Sequence, residues 1–157
     1  MKKLQEVPII QMSEKEVQEK DPSLNWDTKN IFFFKSEVNG KNLARTSVFL
    51  SPKEIDFKND LIMSCIESWE KVKRGEYLFI HSVAMTNRVN ENLYIKNLIP
   101  LVEKLGKEKS IPIIYLQIED NSNFLHAFYK NGFKNTQNDF TDPFSKVHLL
   151  LKKDIVL

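Results

Sequence analysis

The stretch Y-L-F-I-H-S-V-A-M, residues 77–85, decides the fold class of this chain. Apolar side chains occupy both alternating faces of the run, which indicates a central strand covered by helices on both sides. A second apolar run, I-P-I-I-Y-L-Q-I-E, occupies residues 111–119, and a helical period lies between the two from Leu93 to about Lys109. Because strands joined by a helix pair in parallel through a right-handed crossover, these residues predict a parallel strand pair.

Pro100 falls inside that helical period. A proline in a helix interior removes a hydrogen bond and clashes with the preceding turn. We therefore expect the helix to begin near Asn97, which would act as its cap. A kinked helix is the alternative.

Toward the N-terminus, two β-rich runs, residues 31–38 and 41–50, flank Asn39-Gly40. This arrangement predicts a hairpin, because both turn residues tolerate the positive φ of a type I′ turn. Residues 13–20 predict a short charged helix, with Ser13 as its cap and Glu16 able to reach back to it.

A second helix is expected after the hairpin. Residues 51–54, S-P-K-E, form a capping box with proline at the first helical position, and Arg74-Gly75 would end the element. Spacings of one, three and four place six side chains on one face: Leu61, Ile62, Cys65, Ile66, Trp69 and Val72.

The C-terminal part continues the alternation of helix and strand. Residues 120–122, D-N-S, cap a predicted helix that stops at Asn131-Gly132, and residues 147–151 form the last predicted strand. The element order is then strand, helix, hairpin, helix, strand, helix, strand, helix, strand. It predicts one α/β (α+β) domain over residues 1–157, with a mixed sheet and helices on both faces.

Composition restricts the function. Only four glycines occur, none closer than 26 positions to the next, which excludes the glycine-rich loops that bind nucleotide phosphates. The net charge is +2, and 20 of the 23 basic residues are lysines mixed with 21 acids, so we expect no nucleic-acid partner. A single cysteine and no long apolar run predict a cytoplasmic protein that does not enter a membrane, and no His or Cys spacing predicts a metal site.

Residues 121–133, N-S-N-F-L-H-A-F-Y-K-N-G-F, resemble the Gcn5-related N-acetyltransferases (GNAT superfamily). They are similar to that superfamily's helix with an Asn near its start, an aromatic pair, and a Gly-Phe that opens the next strand. The order of elements from Val38 to Leu151 agrees. The resemblance implies a mostly antiparallel sheet with a central parallel pair, and the transfer of an acetyl group from acetyl-CoA to an amine.

In that superfamily a glycine-containing loop binds the coenzyme A pyrophosphate at a helix start. The corresponding stretch here is N-R-V-N-E-N-L-Y-I-K, residues 87–96, which contains no glycine. Backbone N–H groups and the helix dipole would still favour phosphate. The resemblance implies that acetyl-CoA is bound by Val83, Ala84, Met85, Arg88, Asn90, Asn92, Asn121, Asn123 and Tyr129.

The resemblance also assigns the chemistry. A backbone N–H near Val83 or Ala84 would polarise the thioester oxygen, and Tyr129 would protonate the leaving thiolate, because a phenol carries its proton at neutral pH. His81 is the best-placed base on its strand, and Glu119 could accept the amine's proton directly or through water. On the residues alone, each of the three could instead be structural: Tyr129 and His81 as core side chains, and Glu119 as a solvated strand end.

Two other functions stay open at this level. A degenerate member of the same fold could bind a ligand or partner without transferring acetyl, which the glycine-free loop motivates, and an unrelated mixed sheet could serve as a protein-binding module. The acceptor would be a small-molecule or peptide amine, and a homodimer is left open.

Overall fold

The computed structural model describes residues 8–20, 30–51 and 57–157. Its strands are β1 (Ile10–Gln11), β2 (Ile31–Val38), β3 (Lys41–Phe49), β4 (Leu78–Met85), β5 (Ile113–Glu119), β6 (Lys134–Thr141) and β7 (Val147–Asp154). Its helices are α1 (Glu14–Lys20), α2 (Phe57–Glu70), α3 (Glu91–Glu108) and α4 (Leu125–Lys130).

The described strands form one sheet in the order β1-β2-β3-β4-β5-β7-β6. Only β4 and β5 pair in parallel; the other neighbours are antiparallel. The hairpin around Asn39 and Gly40 is present, and both residues have positive φ, 54° and 77°. The predicted fold class, a mixed and mostly antiparallel sheet with a central parallel pair, is confirmed.

Two apolar cores cover the two faces of the sheet, and they define a helical layer on each. The first core joins the sheet to α3 and α4 through residues such as Leu98 and Phe128. The second joins it to α1 and α2 through residues such as Val17 and Met63. We refer to these sides as the α3 face and the α2 face.

Polar contacts fix α2 on its face. The hydroxyl of Tyr77 donates to Glu67 at 2.5 Å, and that of Tyr115 donates to Glu70 at 3.2 Å. Burial, followed by the nearby carboxylates, raises the pKa of both tyrosines well above the usual range, so they remain hydrogen-bond donors.

The predicted apolar face of α2 is wrong in part. Leu61 and Trp69 are exposed, at 53% and 38%, whereas Ile66 and Met63 are buried against the sheet. The face is shifted because Glu67 and Glu70 also point at the sheet, where the two tyrosines bind them. The helix ends at Glu70, earlier than Arg74-Gly75, and the capping box at residues 51–54 extends outside the described residues.

The expected start of α3 near Asn97 is also wrong. The helix begins at Glu91, with Asn90 as its cap, and Pro100 lies inside it. Pro100 is exposed, so the carbonyl that loses its helical partner lies on the solvent side, where water can bind it. Strand β5 begins at Ile113, two residues later than expected. The predicted cap of α1 is present: Oγ of Ser13 accepts a hydrogen bond from the Glu16 amide at 3.1 Å.

Strand β6 was missing from the element order read from the chain, although the resemblance placed a strand after Gly-Phe. Its sequence, K-N-T-Q-N-D-F-T, is polar and has low strand propensity. Its pairing with β7 is irregular between Asn135 and Asp139, and Gln137 there has a φ of 69°. Because only one face of this edge strand packs against the protein and the other meets solvent, its sequence does not need to be a continuous apolar run.

Candidate active site

A β-bulge in the middle of β4 is the structural origin of the site. On the neighbouring strand β3, Val48 is opposite Ile80, but Ser47 is opposite Ser82. His81 is therefore an extra residue, and such a residue bends its strand and increases the local twist.

The bulge coincides with the point where the sheet opens. The parallel register of β4 with β5 comprises three pairs and ends at Ile80 and Leu116. The expectation that the whole of residues 77–85 is covered on both sides is therefore wrong: residues 77–80 are buried, but His81, Ser82 and Ala84 are exposed. Beyond Ile80 the strand keeps only β3 as a described neighbour.

A cavity of about 460 Å³ occupies this opening. Its walls come from β4, β5, the segment before α4, and β7. The residues that line it are His81, Ser82, Val83, Leu116, Gln117, Ile118, Glu119, Asn121, Ser122, Asn123, Phe124, Phe128 and His148.

His81 is held on the α2 face of β4. Its ring stacks on Phe49 with centroids 4.5 Å apart and an interplanar angle of 11°. Nδ1 lies 3.1 Å from Oγ of Ser47, which is also 2.6 Å from Oγ of Ser82. If Nδ1 carries the proton and donates to Ser47, the imidazole lone pair is on Nε2, and the ring is a base of fixed orientation.

The opposite wall carries a second polar group, centred on His148. Nε2 of His148 lies 2.8 Å from Asp142, Nδ1 lies 3.0 Å from Gln117, and the ring stacks on Phe140 at 4.7 Å. The hydrogen bond with His148, followed by the amide of Lys146, holds the pKa of Asp142 below its usual value. Sequence reasoning missed this pair, because the histidines outside β4 were weighed only by their spacing as metal ligands, and Asp142 and His148 lie six residues apart.

Glu119, the last residue of β5, is paired with His148 on β7 and lines the same cavity. Its carboxylate lies 3.9 Å from the ammonium group of Lys146, and its side chain is 37% exposed. Glu119 is thus a half-exposed carboxylate on the far side of the opening from His81.

The segment before α4 supplies the floor of the cavity. Oγ of Ser122 accepts from the Phe124 amide at 3.2 Å, which fixes the turn that brings Asn121 and Asn123 to the lining. Tyr129 is 39% exposed and is not among the lining residues, but its neighbour Phe128 is.

The start of α3 lies close to the end of β4. Oδ1 of Asn90 accepts from the Leu93 amide at 3.1 Å, so this side chain is used as the helix cap. The hydroxyl of Tyr94 lies 2.7 Å from Oγ1 of Thr46 on β3, which ties the first turn to the sheet, and burial raises the pKa of Tyr94 to about 12. Arg88 is half-buried two residues before the cap.

The structure thus brings some of the candidates together and leaves others apart. Around the cavity it places His81, Val83, Glu119, Asn121 and Asn123. The remaining candidates are not part of its lining: Ala84, Met85, Arg88, Asn90, Asn92 and Tyr129. Ala84 and Met85 instead line a shallow cavity of about 260 Å³ beyond the bulge, together with Leu43 and Thr86.

Within residues 8–20, 30–51 and 57–157, no three His, Cys, Asp or Glu side chains are grouped as metal ligands. No helix in this part of the chain combines the length and the apolar character needed to cross a membrane.

Comparison with known proteins rests on structure. No protein-family model matches the sequence, and no curated protein matches it significantly. An IAA acetyltransferase from Bacillus cereus superposes with a TM-score of 0.60 at 10% identity, covering 96% of this chain and 100% of that one. The ribosomal-protein-S18-alanine N-acetyltransferase from Escherichia coli gives 0.59 at 9% identity, covering 96% and 94%.

A third similar structure is a GNAT family acetyltransferase from Elizabethkingia anophelis with acetyl-CoA bound. Its TM-score is 0.57 at 12% identity, and the match covers 97% of this chain and 100% of that one. These likenesses establish the fold of the chain, which is that of the GNAT acetyltransferases.

Proposed function

We propose that this chain, whose fold is that of the GNAT acetyltransferases, transfers an acetyl group from acetyl-CoA to an amine. The observation that supports this most is the opening between β4 and β5, where a cavity brings His81 and Glu119 to opposite walls. Similar structures that contain acetyl-CoA or coenzyme A add support for the cosubstrate.

The proposed acetyl-CoA site follows the exposed half of β4. Backbone groups of Val83, Ala84 and Met85 would bind the pantetheine and thioester, because β4 has no β5 partner beyond Ile80. Asn121 and Asn123 would contact the same part from the cavity floor.

The pyrophosphate would lie at the start of α3. Amides of an 18-residue helix point toward this end, and the side chains of Arg88 and Asn92 flank it. Asn90 would contribute by holding the first turn in place, since its side chain is the cap. Glu91 in the first turn places a negative charge next to this site, which weakens it.

The chemistry requires a base for the amine and an acid for the leaving sulfur. The amine nitrogen attacks the thioester carbonyl carbon, the new C–N bond forms, the C–S bond breaks, and coenzyme A leaves as a thiol. We assign His81 as the base, because Ser47 orients its ring and Phe49 supports it. Glu119, already paired with Lys146, would act through a water molecule at most.

Tyr129 is our proposed acid. It follows the lining residue Phe128 on α4, and its exposure leaves the hydroxyl accessible to a bound thiolate. Replacing Tyr129 with Phe removes only that hydroxyl. We expect turnover to fall at least about tenfold, the lower part of the effect of a single proton donor. Turnover like that of the unmodified protein would remove Tyr129 from the mechanism.

The start of α3 favours one alternative, a ligand-binding protein of the same fold that has lost transfer. The stretch 87–96 has no glycine, and Glu91 adds a negative charge to the first turn of the helix whose start would bind the pyrophosphate. Calorimetric titration with acetyl-CoA, followed by thiol release with a panel of amines, separates the two. Binding with release supports the transferase. Binding without release for any amine supports the alternative, and no binding of acetyl-CoA contradicts the transferase and favours the alternative, in which the fold binds another ligand or partner.

A further inference from the structure

A second cavity, of about 270 Å³, lies against the first on the α2 face of β2, β3 and β4. The two cavities share His81 and Ser82. The lining residues are Phe33, Arg45, Ser47, Phe49, His81, Ser82 and Ala84. A molecule bound here would therefore reach the proposed base from the side of the sheet opposite to α3.

Arg45 is the charged group of this cavity. Its guanidinium lies over the ring of Phe33, 4.9 Å from the centroid. Arg45 is paired with Lys35 and Phe33 with Ser47 across β2 and β3, so the guanidinium extends from its own position to the level of Ser47, whose hydroxyl contacts His81. Contact with the ring holds the charge in place without neutralising it.

Arg45 differs in this respect from Arg74. Arg74 is bound by the carboxylates of Asp60 and Glu67, which neutralise it. Within residues 8–20, 30–51 and 57–157, no carboxylate forms an ion pair with Arg45. An exposed guanidinium at a cavity wall presents a planar fork of donors that fits a carboxylate or a phosphate.

The other walls fit the rest of a small acceptor. Phe33 and Phe49, which are 5% and 3% exposed, form an aromatic floor beneath Arg45 and His81, and they would contact an apolar portion at their edges. Ser47, Ser82 and His81 form the polar end where an amine would be bound and deprotonated. A cavity of this size holds a small molecule and not a folded partner.

We propose that the acceptor is a small amine that also carries an anionic group, and that Arg45 binds this group while the amine faces His81. This inference rests on the proposed function, because it names the acceptor of the same transfer. It assigns Arg45 as the residue that determines acceptor specificity.

The test compares acceptors that share the same amine and differ in whether they carry an anionic group. Phenylalanine and phenylalaninamide share the ring and the amine, and O-phosphoethanolamine with ethanolamine forms a phosphate pair. For each pair, kcat/KM is measured by acetyl-CoA-dependent thiol release. The unmodified protein should prefer the anionic member of at least one pair, and the pair that shows this preference distinguishes a carboxylate from a phosphate acceptor.

In Arg45→Gln we expect the ratio of kcat/KM between the anionic and neutral acceptors to fall at least about tenfold, because a charge-assisted bond is lost. Arg45→Lys, which keeps the charge without the fork, should give an intermediate ratio. Lys41→Gln is the control: it removes one positive charge from the same strand, at an exposed position outside the cavity, and should leave the ratio unchanged.

A binding measurement separates failure of this inference from failure of the proposed function. Saturation-transfer NMR detects binding of the same acceptors without any acetyl transfer. If transfer occurs but no anionic acceptor is preferred, or the ratio survives in Arg45→Gln, the inference is wrong and the function stands. If no acceptor is acetylated while anionic ones bind in an Arg45-dependent way, the binding site stands and the function fails. If neither transfer nor Arg45-dependent binding is observed, the inference and the proposed function are both wrong.

Discussion

The two halves of β4 differ in their surroundings although they belong to one continuous strand. Leu78, Phe79 and Ile80 are at most 2% exposed and pair with β3 on one side and β5 on the other. From Ser82 to Met85 the strand pairs only with β3, and the side chains from His81 to Met85 are exposed or partly buried. The first half holds the sheet together, and the second half forms a wall of the candidate active site.

The difference begins at one inserted residue. The bulge at His81 adds a residue to β4 that β3 does not match, and the strand leaves β5 at the same point. The extra residue also places His81 and Ser82 near Ser47 on the α2 face. A single irregularity therefore coincides with the opening of the cavity and positions His81, the proposed base. Substitutions on either side of it should have different consequences.

The largest expected effect is on the buried half. Ile80→Ala removes buried carbon from the α3-face core, and it should lower the free energy of unfolding by about 3 kcal/mol. Val83→Ala, three residues later and only partly buried, should lower it by about 1 kcal/mol. Urea denaturation measures both. Equal losses at the two positions would contradict the division of β4.

The next effect is on the exposed half, where activity should change and stability should not. His81→Gln should reduce kcat about 100-fold, as expected for loss of a general base. His126→Gln on α4, which alters an exposed histidine outside the cavity, is the control and should keep full activity. Thiol release measures activity and thermal unfolding measures stability. A His81 variant that turns over normally would exclude His81 as the base.

A smaller effect is expected where α3 is tied to β3. Tyr94→Phe leaves the buried hydroxyl of Thr46 without its partner, and the free energy of unfolding should fall by about 1 kcal/mol. The double variant with Thr46→Val removes both polar groups and should recover part of this loss. Additive losses in the double variant would show that the bond does not hold the helix start.

The smallest effect concerns the far wall, at Asp142. The hydrogen bond with His148 lowers the pKa of Asp142 in the folded protein. The stabilisation by this carboxylate is therefore complete above its ordinary pKa near 3.8, and it is lost as the pH falls through the lower pKa of the folded state. The difference in melting temperature between the unmodified protein and Asp142→Asn should therefore shrink as the pH falls through 3.8 and below. A difference that stays constant over this range would exclude the Asp142–His148 bond as its source.

The sequence was informative where apolar pattern and turn chemistry act locally. It predicted the hairpin at Asn39-Gly40, the order of β4, α3 and β5, and the class of fold, because these depend on periodicity and on residues that tolerate positive φ. It failed at Pro100, since whether a proline is tolerated depends on which face of α3 meets solvent.

The site was harder to predict than the fold. His81, Glu119, Asn121 and Asn123 were named and do line one cavity, but the bulge that brings them together leaves no mark in a run of apolar residues. The pair of His148 and Asp142 was missed because it forms across the loop between β6 and β7. Contacts of this kind depend on strand register, which the local pattern does not determine.

The central claim is that acetyl-CoA binds along the half of β4 that leaves β5. Backbone amide shifts in NMR, recorded while acetyl-CoA is added to the full chain, test this most directly. We predict that the amides of residues 81–85, 88–92 and 121–124 shift, while those of residues 78–80 and of β6 remain within error. No shifts at saturating acetyl-CoA, or shifts confined to residues away from the opening, would contradict the account.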